Sequence, residues 1–117
     1  MSRSLYEDMA DDNGASTREN EFKAFEHSIT LLQQAQMHGA GTRQSVEAIV
    51  FLSRLWGLLL EDLSHPENGL PDKLKGSLIS IGIWMLRQAE DARQGRLNDF
   101  TGMIEVSQSI SSGLRRI

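Results

Sequence analysis

The sequence contains no cysteine. Disulfides and thiolate metal sites are therefore excluded, and a reducing compartment is the easy fit. Only two prolines occur, Pro66 and Pro71, and both fall in one short stretch. Long hydrophobic runs are missing too. The longest, Leu78 to Leu86, is interrupted by Ser80 and Gly82 and is far below the ~20 residues a membrane span needs. The opening residues lack the basic-then-apolar pattern of a secretory signal, so a cytoplasmic protein without membrane insertion is expected. Concentrated basic charge is also scarce. Residues 1–21 hold two basic and six acidic side chains, whereas residues 22–117 hold ten of each. A neutral body has no field of the kind that draws in nucleic acid. The small clusters Arg93 with Arg96 and Arg115 with Arg116 read better as complements to helix C-terminal ends.

What remains is the composition of one small domain. The chain has 117 residues, of which 39% are hydrophobic and 24% charged, enough for a single modest core. Its patterning is helical throughout. Residues 1–15 read as a flexible acidic arm, in which Asp11-Asp12-Asn13-Gly14 is a turn signal and Leu5, Tyr6 and Met9 can form one docking helical turn. Residues 16–117 read as the helical domain. Ser16-x-x-Glu19 has capping-box spacing, and Phe22, Phe25, Ile29 and Leu32 share the face of a first helix that ends at Gly39. Thr42 is placed to cap a second helix running to about Leu63. Pro71 suits the first position of a third, which Gly95 closes. Asn98 is the expected cap of a fourth, with Phe100, Met103, Ile104, Ile110 and Leu114 on its apolar face and serines on the other. The fourth is the weakest by propensity and is the one expected to fray or exchange with a partner. The predicted fold class is all-α, a compact bundle of about four helices with two central apolar helices.

Catalytic motifs are thin. Asp62-x-x-His65 has the spacing of half a di-iron motif, but the second copy and the two further inward glutamates are absent. Gly39-Ala-Gly41 lacks a third glycine and follows a helix rather than a strand. No serine sits in a nucleophile elbow. A protein without catalysis, cofactor or metal is expected.

The informative feature is a surplus of apolar residues between Val46 and Gln88. Ile49, Leu52, Trp56, Leu59 and Leu63 form one stripe of the second helix, and Phe51, Leu55 and Leu58 form another. One stripe serves a bundle core, and a second faces a partner. Phe51, Leu55 and Leu58, with Met85 and Met103, are the candidate protein-binding residues; methionine adapts to irregular partners. Trp56 and Trp84 are read as core. Gly57 and Gly82, inside the most apolar helices, are read as points of close helix approach. The same stripes could instead pair with themselves in a homodimeric scaffold.

The same stretch carries a resemblance. Phe51-Leu-x-Arg54-Leu-Trp56, Leu59-x-Glu61-Asp62-Leu63, Pro66-Glu67-Asn68, Leu70-Pro71 and Leu78-Ile79-Ser80-Ile81-Gly82-x-Trp84 resemble the FlaF family of bacterial flagellar biosynthesis regulators. The similarity extends from about Glu19 to the C-terminus. It implies a role in the production and export of flagellin, alongside a second regulator, FlbT, of largely opposing effect. Flagellin is then the expected partner, held as a secretion chaperone holds its cargo. A post-transcriptional action on flagellin messenger RNA, direct or through FlbT, is the competing expectation. The resemblance assigns no contact residues.

Overall fold

The computed structural model describes the backbone of residues 14–115 and the side chains of residues 19–114. Among the described residues four helices follow one another: α1 (Gly14–His38), α2 (Arg43–Leu63), α3 (Asp72–Arg93) and α4 (Thr101–Arg115). The expected helix count therefore holds. Residues 1–13 of the predicted arm lie outside the described residues, while Gly14 and Ala15 already belong to α1, which starts two residues ahead of Ser16.

The chain runs up, down, up and down. Phe25 meets Trp56 and His27 meets Phe51, so α1 and α2 are antiparallel. Glu26 bonds to Ser111 and Gln36 to Phe100, so α1 and α4 are antiparallel as well. The backbones pack most closely at α1–α2, α1–α4 and α2–α3. The α3–α4 seam is wider and is bridged by Trp84, whose ring lies 3.6 Å from the position a Cβ would take on Gly102.

Local chemistry sets the helix ends. Gly39 (φ 96°) and Gly95 (φ 79°) take the left-handed conformation that stops a helix. At the end of α3 the Gly95 amide donates to Ala92 and the Arg96 amide to Asp91, the double closure of a Schellman turn. Thr42 caps α2 as expected, its Oγ1 accepting from the Ser45 amide at 3.2 Å. Pro71 stands just before α3, and Asp72 is its first residue. The α2–α3 loop is tied back by Asn68, whose Nδ2 donates to Asp62 at 3.2 Å. The start of α4 differs from expectation. Asp99, not Asn98, accepts from the Thr101 amide at 2.9 Å. Gln36 of α1 completes the cap: its Oε1 accepts from the Phe100 amide at 2.7 Å and its Nε2 donates to Asp99.

The core gathers Leu32 from α1, Leu52 and Trp56 from α2, Met85 from α3, and Phe100 and Met103 from α4. Burying each such side chain contributes roughly 1.5–3 kcal/mol. Ser28, Ser45, Ser107 and Ser111 are buried as well, so two serines assigned to the polar face of α4 lie inside. Small side chains there let helix axes approach closely. Ser111 satisfies its hydroxyl on Glu26 at 2.8 Å. Among the described residues no buried side-chain nitrogen or oxygen lacks a hydrogen-bond partner.

The two glycines expected to mark close approach differ. A Cβ on Gly82 would stand 2.8 Å from both Trp56 and Leu60, so α3 meets α2 there. Gly57 is exposed and has nothing within 4 Å of that position. Gly82→Ala is expected to destabilise the protein by about 1–3 kcal/mol through overpacking. Gly57→Ala should instead stabilise it by up to about 1 kcal/mol through helix propensity. Urea unfolding midpoints of the two variants check the opposite signs.

Two carboxylates give stability an acid limb. Hydrogen bonds from Arg93, then from Gln94, hold the Glu90 carboxyl down from its ordinary 4.5 to about 2. Hydrogen bonds from Thr101, then from Gln36, lower Asp99. A carboxyl with a lowered folded pKa stabilises the fold above its unfolded pKa and loses that contribution as pH falls through its folded value. Unfolding midpoints should accordingly drop between about pH 4.5 and about pH 2, and Asp99→Asn should flatten part of that slope.

Candidate protein-binding groove

An open groove of about 420 Å³ runs between α1 and α2. Its α1 wall is Ala24, His27 and Leu31. Its α2 wall is the row Val46, Val50, Arg54 and Leu58, with Phe51 and Leu55 behind it. Four-residue spacing places that row along a single line of the helix surface. The row follows from the rotation of α2, which turns Ala48, Leu52 and Trp56 into the core and leaves Val46 and Val50 55% and 52% exposed. Leaving two β-branched side chains half exposed forgoes part of the gain of burying them, and no packing among the described residues covers them fully.

The polar groups are few and sit along the groove. The His27 ring stands edge-on to Phe51, with centroids 4.6 Å apart, and closes the groove on the α1 side. Glu47 is held by Arg43 at 3.4 Å. Arg54 is exposed and makes no ion pair among the described residues. Among the same residues no cluster of three or more His, Asp or Glu side chains is arranged to hold a metal ion. What the groove offers is an apolar strip between two antiparallel helices. From Val46 to Leu58 it is roughly 18 Å long at 1.5 Å per residue, about the footprint of a three-turn helix.

Of the five residues singled out from sequence, three come together here. Phe51 and Leu58 are half-buried in the groove wall, and Leu55, at 5% exposure, is its floor. Met85 and Met103 do not belong to this surface. At 0% and 1% exposure they are core residues. The buried face of α3 is Gly82, Met85, Ala89 and Ala92, where a long unbranched side chain fills the space that the small neighbours leave. Met103 occupies the equivalent place on α4 beside Phe100 and Ser107.

The tryptophans also part company. Trp56 is core at 1% exposure, but Trp84 is 36% exposed. It lies against α4 beside a smaller hollow of about 260 Å³ lined by Ser80, Ile81, Trp84 and Val106. Sequence reasoning missed Val46, Val50, His27 and Leu31. The four-residue repeat from Val46 to Leu58 was the available signal, obscured by the charge of Arg54 inside it.

No helix among the described residues is long and apolar enough to cross a membrane. Neither the curated proteins nor the solved structures contain a match to the chain. The family described as "Flagellar protein FlaF" matches residues 2–114, a span that takes in all four helices, both groove walls and the Pro66–Pro71 loop; the chain belongs to the FlaF family.

Proposed function

We propose that this protein is a cytoplasmic, non-catalytic flagellin-binding factor. It holds a terminal segment of flagellin as an amphipathic helix in the α1–α2 groove, and so serves its export and sets its production. The observation that carries the reading is the apolar row of exposed Val46 and Val50 with half-buried Leu58. A helix laid along it with apolar residues at three- and four-residue steps would cover it. Flagellin's terminal segments become amphipathic helices on polymerisation, so before assembly they carry apolar faces that need cover. Family membership supplies the flagellar context, and the groove supplies a surface of matching character.

Calorimetric titration of the protein with flagellin at low and high salt tests this. Binding should survive salt, because an apolar contact releases few counterions, whereas contact with messenger RNA would weaken steeply. Val50→Glu should weaken flagellin binding at least about 10-fold by placing a charge in the apolar contact. Because Val50 is exposed, the same change should move stability by no more than about 0.5 kcal/mol. An unchanged affinity in that variant would remove the groove from the reading. No heat with flagellin would turn attention to FlbT or RNA as the partner.

A further inference from the structure

We infer that α2 also pairs with α2 of a second copy of this chain, antiparallel and about a twofold axis level with Leu52. This self-association covers the apolar row until flagellin arrives. The inference rests on the reading of the groove as the flagellin site and adds its regulation.

Three observations converge. The first is charge at the wrong helix ends. α2 opens on Arg43 and carries Glu61 and Asp62 near its end, with no acidic residue in its first turn and no basic one in its last. A helix favours the opposite placement, because its N-terminal end is positive and its C-terminal end negative. Asp62 is met by Asn68. Glu61 has no ion pair among the described residues, and Arg43 meets Glu47 at 3.4 Å on the exposed surface, a contact that holds little. In an antiparallel pair each Arg43 lies over the negative end of the other helix, opposite its Glu61. Each Glu61 then lies over a positive end.

The second is direction. Arg43 and Glu61 are each nine residues from buried Leu52, so both point roughly 180° away from it. They mark the outermost line of α2. Val50 and Arg54, two residues either side of Leu52, fall within about 20° of that line. Val46 and Gly57 lie on the Val50 side of it, and Glu47 lies on the Arg54 side. All seven residues are exposed.

The third is fit. A twofold axis at Leu52 keeps each side of the line facing the same side of the second copy. Val46 then stands within about 1.5 Å, measured along the helix, of Gly57 of the second copy. Nothing lies within 4 Å of the place a Cβ would take on Gly57, so the notch is open to a valine. Glu47 stands roughly 4.5 Å along the helix from Arg54 of the second copy, and Arg54 has no ion pair among the described residues. The pairing gives a use to a glycine that is otherwise unfavourable inside a helix. A contact this small and this charged is weak. Val46 and Val50 also line the groove, so a second copy and flagellin exclude one another.

Sedimentation of the full chain from micromolar to millimolar concentration tests the pairing. The chain should self-associate. Arg43→Glu and Glu61→Arg should each weaken association at least about 10-fold, because each sets like charges against one another at both ends. Both reversals give the helix ends the charge they favour, so the fold is not at risk. An equimolar mixture of the two variants should associate again, since all the end pairs between unlike copies are then of opposite sign. A wild-type chain that stays monomeric, or single reversals without effect, or a mixture that stays monomeric, would overturn the inference.

Flagellin is then titrated against the wild-type chain and the Glu61→Arg variant. Flagellin should dissociate the wild-type pair and bind the variant more tightly, because no second copy competes. A pair that stays intact with flagellin bound would overturn the regulatory role. Val50→Glu separates the readings: loss of self-association with undiminished flagellin binding would leave the pairing in place and move flagellin away from the groove.

Discussion

The fold depends on how Trp56 is wedged. Its ring meets Phe25 of α1 edge-on at 5.8 Å, and on its other side it lies against Gly82 of α3, where even a methyl group would collide. One side chain thereby sets the distance from α2 to two neighbours and fixes the rotation of α2 about its own axis. At 100° per residue, the row from Val46 to Leu58 lies roughly 80–200° around the helix from Trp56, while Ala48, Leu52 and Leu55 lie on its other side. The residues of the row cannot also be core. The groove is in this sense a consequence of the wedge, because the residue that closes the core turns the second stripe outward.

Much of the architecture was legible in the sequence because its signals are local. Gly39 and Gly95 stop helices through their own backbone freedom, and Thr42 caps α2 through an amide three residues away. The misreadings came where a distant residue decides. Asn98 looked like a cap, but Gln36, more than sixty positions earlier, is the side chain that meets the first turn of α4 together with Asp99. Met85 and Trp84 are neighbours, about 100° apart on the helix, in a segment apolar on two faces. Periodicity alone does not say which of the two points inward. The decision belongs to the α3–α4 seam, where the edge of Trp84 lies against Gly102, and to the core, where Met85 is buried in one cluster with Ala89.

Two kinds of apolar residue therefore coexist on α2, and they answer to different constraints. Leu52 and Trp56 are held by packing, where a lost methylene is felt throughout the core. Val46 and Val50 stand outside the core, about half exposed on the groove wall. Leu55 belongs to both sets, being buried yet forming the groove floor. Changes there confound stability with binding, which makes the outer row the cleaner place to separate them. The serines of α4 are a similar lesson in reverse. Ser107 and Ser111 look polar in sequence but are buried as small residues.

The clamp between Gln36, Asp99 and Phe100 gives α4 a direction. Its first turn is pinned to α1 through both ends of one amide, while its later turns are held by Ser111 on Glu26 and by half-buried Ile110 and Leu114. Such a helix opens like a zipper with one end sewn shut. Amide protons of the last turns are expected to exchange with solvent through smaller openings than those near Phe100 require. A helix of low intrinsic propensity thus acquires a fixed first turn from a single glutamine on another helix.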